Sequence, residues 1–180
     1  MRLWPLLYTE GAVDNMLEWE FKGEVTPEEL RKRFAEYEDD PGRLKSMVID
    51  YLMPYMVREM LRTKADAMTK AEAIYYFGDI AGLFFSLHGF YNHITRAMEL
   101  MESDALEKAK KDILSALQED AKKVIELYAE LRQGRPLDII RHELSIVATG
   151  LRVYVYKTIS YLEESTNDFV IRWIMTKGFD

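Results

Sequence analysis

The stretch that decides the fold of this chain is IYYFGDIAGLFFSLHGFYNHI, residues 74–94. At 100° per residue, its small side chains and its large apolar side chains fall on opposite faces of a helix. The small face consists of Ala71, Gly78, Gly82, Ser86 and Gly89. The large face consists of Tyr76, Ile80, Leu83, Phe84, Leu87, Tyr91, Ile94 and Met98. Because neither face is polar, the pattern predicts a central helix that is buried on both sides.

The glycines of this helix form the first candidate contact site. Three of them lie within residues 78–89, and each costs about 1 kcal/mol relative to alanine in a helix interior. Close approach of another backbone offsets this cost, as in helix pairs that meet along small residues. Gly78, Gly82, Ser86 and Gly89 are therefore predicted to meet another helix, either within the chain or across a dimer.

Polar residues on the same helix are candidate ligand or interface residues. Asp79, Ser86 and His93 have the residue types of a hydrolytic triad. However, seven residues of helix span about 10.5 Å, which is beyond hydrogen-bond reach. Two interpretations stay open: Asp79 and His93 line a cleft, or they pair with neighbouring helices. These polar residues also argue against a membrane span, which needs about 20 residues almost without charge.

The chain from residue 26 onward is predicted to be helical. Thr26 before Pro27 is a typical helix start, and the turn DDPG, residues 39–42, ends that first helix. Pro54 disturbs the second helix from within. The predicted helices are 26–38, 41–62, 69–101, 104–133 and 137–163. Because the connections are short, the predicted fold class is all-α: an up-down helical bundle of four long helices plus a short leading helix, forming one domain over 26–180.

Both ends of the chain carry shorter predicted elements. Apolar and charged residues alternate in LEWEFKGEV, residues 17–25, which is typical of a strand with one buried face. Residues 1–25 are therefore predicted to form a short β-strand or an extended N-terminal arm that lies on the helices. At the other end, residues 169–175 are predicted to form a short closing helix.

The last two long helices differ in how many apolar stripes they carry. The helix over 104–133 has one apolar stripe and a charged opposite face, which is typical of an outer helix. The helix over 137–163 has two stripes. One consists of Ile140, Leu144, Val147, Leu151, Tyr154, Thr158 and Leu162; the other consists of Ile139, Ile146 and Val153. A helix that is apolar on two sides is either central or part of an oligomer contact.

Composition limits the classes of partner and the compartment. The formal net charge is -7 and the pI is near 5.1, which does not favour nucleic acid, because phosphate binding depends on Lys and Arg. The chain has no cysteine and no recognisable signal peptide, so a cytoplasmic location is expected. Only three Asn and two Gln accompany many charged residues, which is the direction that thermophile proteins take.

No metal or other cofactor is expected. Di-iron helical proteins use Glu-x-x-His motifs, and none of His88, His93 and His142 has a Glu three positions before it. The methionines of the second helix permit a different kind of site. Met53, Met56 and Met60 lie on one side of that helix, where they either fill the core or line an apolar ligand pocket with nearby aromatics.

One further pattern is similar to that of a known enzyme class. Six residues separate Arg135 from His142 at the start of the last long helix. Helical ribonucleases of the HEPN class carry Arg, four to six residues, and then His at such a position. The resemblance consists of this motif and helicity, and Pro136 replaces the polar residue usually found after the Arg. It implies ribonuclease activity with Arg135 and His142 as catalytic residues.

Taken together, these patterns predict a non-enzymatic protein that acts through protein–protein interaction, as a homodimer or as a subunit of a larger complex. The warrant is the surplus of apolar helix faces together with the lack of a recognised catalytic constellation. Two alternatives stay open: a binder of small apolar ligands with an aromatic and methionine pocket, and a HEPN-like ribonuclease.

Overall fold

A computed structural model describes residues 25–62 and 67–165, and within these residues it shows five helices and no strand. The helices are α1 (Pro27–Tyr37), α2 (residues 41–62), α3 (Ala67–Met98), α4 (Asp104–Arg132) and α5 (Leu137–Ser165). The predicted all-α class is confirmed. The predicted strand or arm before Val25 and the predicted closing helix at 169–175 lie outside the described residues.

Short polar residues begin three of the helices, as local capping rules require. The Thr26 hydroxyl accepts a hydrogen bond from the Glu29 backbone N–H at 3.2 Å. The Asp40 carboxylate and the Ser103 hydroxyl cap α2 and α4 in the same way. Each cap satisfies a backbone donor that the helix itself leaves without a partner. The helix starts predicted from the sequence at these three places are therefore confirmed.

The turn between α4 and α5 depends on a glycine. Gly134 adopts a positive φ of 86°, a conformation that side chains with a Cβ rarely take. Its N–H donates to the Leu131 carbonyl, and the Arg135 N–H donates to the Glu130 carbonyl, both at 3.1 Å. This pair of bonds is the Schellman closure of a helix. α5 begins immediately afterwards, so α4 and α5 become neighbours joined by a very short connection.

Helix α2 contains an irregular turn where the sequence predicts a disturbance. Its three segments are an α-helical start (Pro41–Ser46), a π-helical turn (Met47–Leu52) and an α-helical end (Met53–Arg62). The Met53 N–H donates to the Val48 carbonyl five residues back. Pro54 follows directly; it has no N–H, and its ring collides with the carbonyl four residues earlier in a regular helix. A wider turn before the proline relieves that collision.

The core lies between α3, α4 and α5, which contact one another pairwise, while α1 and α2 pack beside them. α4 contacts every other described helix, although the sequence predicts an outer helix there. Its charged side stays exposed as predicted. Its apolar stripe widens in the last turns, where Ile125, Leu127, Tyr128 and Ala129 are all buried. This wide end lets α1 pack on one side while α5 packs on the other.

Candidate functional site

The glycine face of α3 is buried around Gly78 and Gly82, but Tyr75 before them is 64% exposed and the residues after them on that face are partly or fully exposed. Gly78 and Gly82 are buried within the single chain, as are Phe77, Ile80 and Phe84 beside them. Further along the same face, however, Phe85, Asn92 and Arg96 are exposed, and Ser86 and Gly89 are partly exposed. The prediction that α3 is buried on both sides is therefore wrong for its second half. The reason is that a small-residue face is covered only along the part where another segment reaches it.

Asp79 connects α3 to α5. Its carboxylate pairs with the guanidinium of Arg152, and both side chains are partly exposed. Of the two interpretations given above for Asp79, pairing with a neighbouring helix is the one that the structure shows. This ion pair joins α3 to α5 at the surface of the protein.

The two histidines of α3 lie in different surroundings. Nε2 of His88 lies 3.3 Å from Nδ2 of Asn92, and the ring packs close to Gly42 at the start of α2. Burial, followed by the charge of Lys45, lowers the pKa of His88. Burial also lowers the pKa of His93, with a smaller contribution from Arg96. Both rings are thus held towards the neutral form.

The methionines predicted as pocket residues lie in the core. Met53, Met56 and Met60 are completely buried. The structure has two adjoining surface clefts of about 540 and 270 Å³ between α1 and α2, and both are lined by Arg33, Tyr37 and Tyr51. In these clefts the Arg33 guanidinium lies 4.1 Å from the centre of the Tyr51 ring. Such walls are charged and aromatic rather than apolar, so they do not form the predicted methionine pocket.

Arg135 is occupied by acidic neighbours. Its guanidinium contacts the carboxylate of Glu130 and lies 3.2 Å from that of Glu143. His142 is on the exposed side of α5. A ribonuclease of the kind considered above would need an arginine whose charge is available for a phosphate. Here the carboxylates of Glu130 and Glu143 both contact that guanidinium, which lies at the α4–α5 turn.

Two chemical properties of the described residues bear on the class of site. Within 25–62 and 67–165, the structure contains no group of three His, Cys, Asp or Glu side chains that could hold a metal ion. Over the same residues, no helix combines the length and the apolar character that crossing a membrane requires.

Asp120 is an unusual residue that the sequence analysis did not single out. It lies on α4 in line with Ile113, Leu117, Val124 and Leu127, all of which are buried. Burial is the largest effect on this carboxyl group and raises its pKa to about 6, while Lys123 lowers the pKa and Glu119 raises it. The signal in the sequence is an acid on an apolar stripe with spacings of three and four residues.

The outward face of α5 carries a row of exposed apolar side chains. Ile139 is 40% exposed, Ile146 46%, Val153 45% and Tyr156 66%. Together with the exposed His142 and Thr149, they form a straight row with alternating spacings of three and four residues. We call these six residues the α5 seam. The opposite stripe, with Ile140, Leu144, Val147 and Leu151, is buried. α5 is thus not a central helix: only one of its two predicted stripes faces the core.

Helix α4 provides an internal comparison for the α5 seam. It has the same length as α5 and is joined to it by the turn at Gly134. Its exposed positions nevertheless carry polar side chains, among them Glu107, Lys108, Lys111, Asp112, Ser115, Glu119, Lys122 and Lys123. The row of exposed apolar side chains therefore distinguishes α5 from α4.

Comparison of the chain with family models, with curated proteins and with solved structures finds no match in any of the three. The class of protein is accordingly defined by the fold and the surface alone: an all-α protein with an exposed apolar helix face.

Proposed function

We propose that this chain is a non-enzymatic protein that acts through protein–protein interaction, and that it forms a homodimer through the α5 seam. The helices are proposed to run alternately up and down as a bundle, which the short connections before α4 and α5 support. The observation that carries the functional proposal is the exposure of Ile139, Ile146 and Val153 on one line of a helix.

The physical argument is the free-energy cost of leaving this row of apolar side chains exposed to water. Burial of apolar surface contributes roughly 25 cal/mol per Å², and contiguous exposed apolar patches are typical of binding surfaces. Isolated exposed apolar residues are common in proteins. Here, however, three branched side chains and a tyrosine follow one another along about five turns of helix. Their alignment points to a partner that covers them together.

The remaining candidate chemistry is already used inside the chain. Asp79 pairs with Arg152, and Arg135 pairs with two glutamates. The three methionines of α2 fill the core. These contacts support an interaction function over the two alternatives, since a ribonuclease needs a free arginine and the three methionines proposed to line a ligand pocket are buried in the core.

Static light scattering at several protein concentrations tests this proposal. We expect the wild type to approach twice the chain mass of 21.1 kDa as concentration rises. The variant Ile146→Glu places a charge in the middle of the α5 seam, so it is expected to remain a monomer. Helicity by circular dichroism should be the same in both proteins, because position 146 points away from the core.

The matched control is Ser115→Glu, which adds the same charge at an exposed position on α4. It should dimerise like the wild type. A wild type that stays monomeric up to millimolar concentration would remove the homodimer proposal, and equal dimerisation of Ile146→Glu would move the contact away from the α5 seam.

A further inference from the structure

We propose that the partner covering the α5 seam is a second copy of the chain whose α5 runs antiparallel to the first. The two-fold axis that relates the two copies passes between their α5 helices, level with the midpoint between Ile146 and Thr149. This inference rests on the proposed function and specifies its partner and orientation. Three features carry it: the spacing of the seam, the distribution of charge along its flanks, and the small residues at its middle.

The spacing of the α5 seam is that of a heptad repeat. Ile139, Ile146 and Val153 take the first core position of successive heptads, and His142, Thr149 and Tyr156 take the second. Two helices with this pattern interlock side by side. In a parallel pair like residues would meet, so polar layers would alternate with aliphatic layers along the interface.

An antiparallel pair combines the two kinds of residue in every layer. Ile139 then meets Tyr156 of the second copy, Ile146 meets Thr149, and Val153 meets His142. Each polar or aromatic side chain is covered by a branched aliphatic one, and the tyrosine ring and the imidazole lie at the ends, where their polar atoms reach water. Antiparallel packing therefore avoids stacking polar groups against each other in a buried layer.

Charge along the seam also favours the antiparallel direction. Near its start, Glu143 and Glu130 share the single cation of Arg135, so this cluster has a net charge of -1. Near its end, Lys157 is exposed and makes no ion pair with any other described residue. An antiparallel pair brings Lys157 towards the acidic cluster of the second copy at both ends, whereas in a parallel pair Lys157 lies at the far end from that cluster and faces Arg152 of the second copy. Such flanking charges set orientation more than affinity.

Small residues border the middle of the seam. Gly150 is exposed in the interior of α5, and a Cβ added there would meet no atom within 4 Å. Nothing within the described chain therefore requires a glycine, although it costs the helix about 1 kcal/mol relative to alanine. Ser145 lies on the other border. In the proposed arrangement both residues flank the two-fold axis, where small side chains let the two backbones approach closely.

The length of the seam predicts a reversible dimer. The 18 residues from Ile139 to Tyr156 span about 26 Å of helix. One pair of helices of that length covers less than the roughly 800 Å² per partner of a standard stable interface. We therefore expect dimer and monomer to exchange over the micromolar range rather than a permanent assembly.

Cysteine cross-linking tests the orientation directly, because the chain has no cysteine of its own. Ile139→Cys and Tyr156→Cys are made separately, one of them with a mass tag, and both are oxidised alone and as a mixture. We expect the covalent heterodimer in the mixture and little cross-linking of either variant alone. Self-cross-linking of each variant would instead show a parallel pair and overturn the inference. Ser115→Cys on α4 gives the background from random collisions.

Light scattering tests whether a dimer forms, and cross-linking tests how its two α5 helices are oriented. If light scattering shows a wild-type dimer but the mixture forms no heterodisulfide above the Ser115→Cys background, the orientation is wrong and the homodimer stands. A monomeric wild type overturns both.

A charge reversal provides a second measurement that needs no cysteine. Lys157→Glu should raise the dimer dissociation constant several-fold, whereas Lys122→Glu, the same charge reversal on the exposed side of α4, should leave it unchanged. Equal dissociation constants for Lys157→Glu and the wild type would contradict the proposed pairing.

Discussion

At the scale of a single residue, Asp120 is a carboxyl group that is costly to ionise because of where it lies. The carboxyl group lies on the apolar stripe of α4, and burial raises its pKa to about 6. Its pKa in the folded chain is thus above the ordinary value of 3.8. A group of this kind stabilises the fold only while it is protonated. That contribution is complete below about pH 3.8 and is lost as the pH rises through about 6.

Asp120→Asn should therefore stabilise the protein at neutral pH. Because part of the carboxylate contacts water, we expect a gain on the order of 1–2 kcal/mol at pH 7.5 and almost none at pH 3.5. Urea unfolding at these two pH values measures the difference. Glu36→Gln, at an exposed position of α1, is the control and should change the free energy of unfolding little. Equal pH dependence in the wild type and Asp120→Asn would show that Asp120 is not the titrating group.

At the scale of the element, α3 shows why two adjacent phenylalanines differ in how much they stabilise the fold. Phe84 is completely buried, whereas Phe85 is 42% exposed with the Lys45 ammonium 4.3 Å from its ring centre. The two residues are 100° apart on the helix. That rotation takes the side chain from the core to the part of the glycine face that remains open to water.

Truncation of these two residues should consequently have very different effects. Phe84→Ala leaves a cavity among well-packed side chains and should cost about 3–5 kcal/mol of the free energy of unfolding. Phe85→Ala removes a partly hydrated ring and should cost less than about 1 kcal/mol. Chemical denaturation of the two variants under the same conditions gives both values. Similar losses for both would mean that position 85 is covered in solution.

Helix α2 shows how a helix accommodates a proline in its interior. A proline inside a helix removes one hydrogen bond and crowds the preceding turn. The chain responds with the π-helical turn Met47–Leu52 rather than by ending the helix. As a result Tyr51 faces the clefts beside α1, while Met53, Met56 and Met60 continue into the core. Sequence spacing left two possibilities open for these methionines, the core or a ligand pocket, and the structure places them in the core.

For the whole molecule, the α5 seam links stability to protein concentration. A partner that binds only the folded chain stabilises it by mass action. In the dimer range, each tenfold rise in concentration adds about 0.7 kcal/mol per chain, half of the 1.4 kcal/mol for the pair. For a chain of this size that corresponds to an increase in Tm of roughly 1–3 °C.

We therefore expect the wild-type Tm to rise with protein concentration and the Tm of Ile146→Glu to stay constant. Differential scanning calorimetry over a hundredfold range of concentration measures this, with Ser115→Glu as the control that should follow the wild type. A wild-type Tm that does not change with concentration would contradict dimerisation through the α5 seam.

Much of the fold follows from local features of the sequence. Thr26, Asp40 and Ser103 cap helices because their oxygens accept hydrogen bonds from backbone groups a few residues away. Gly134 ends α4 because the closing turn needs a positive φ. These causes act over one or two turns of chain, so the sequence by itself determined the all-α class, the positions of the helices and the two apolar stripes of α5.

Only the tertiary structure decided which of those apolar surfaces is buried. Periodicity gives the angle between two faces of one helix, but burial depends on whether another helix lies against each face. In α5 the neighbours cover the stripe of Ile140 and Leu144 and leave Ile139 and Ile146 in water. In α3 the glycine face is covered at Gly82 and open at Phe85. The contact surface that we propose therefore lies on α5, where packing between distant segments leaves a complete apolar stripe exposed.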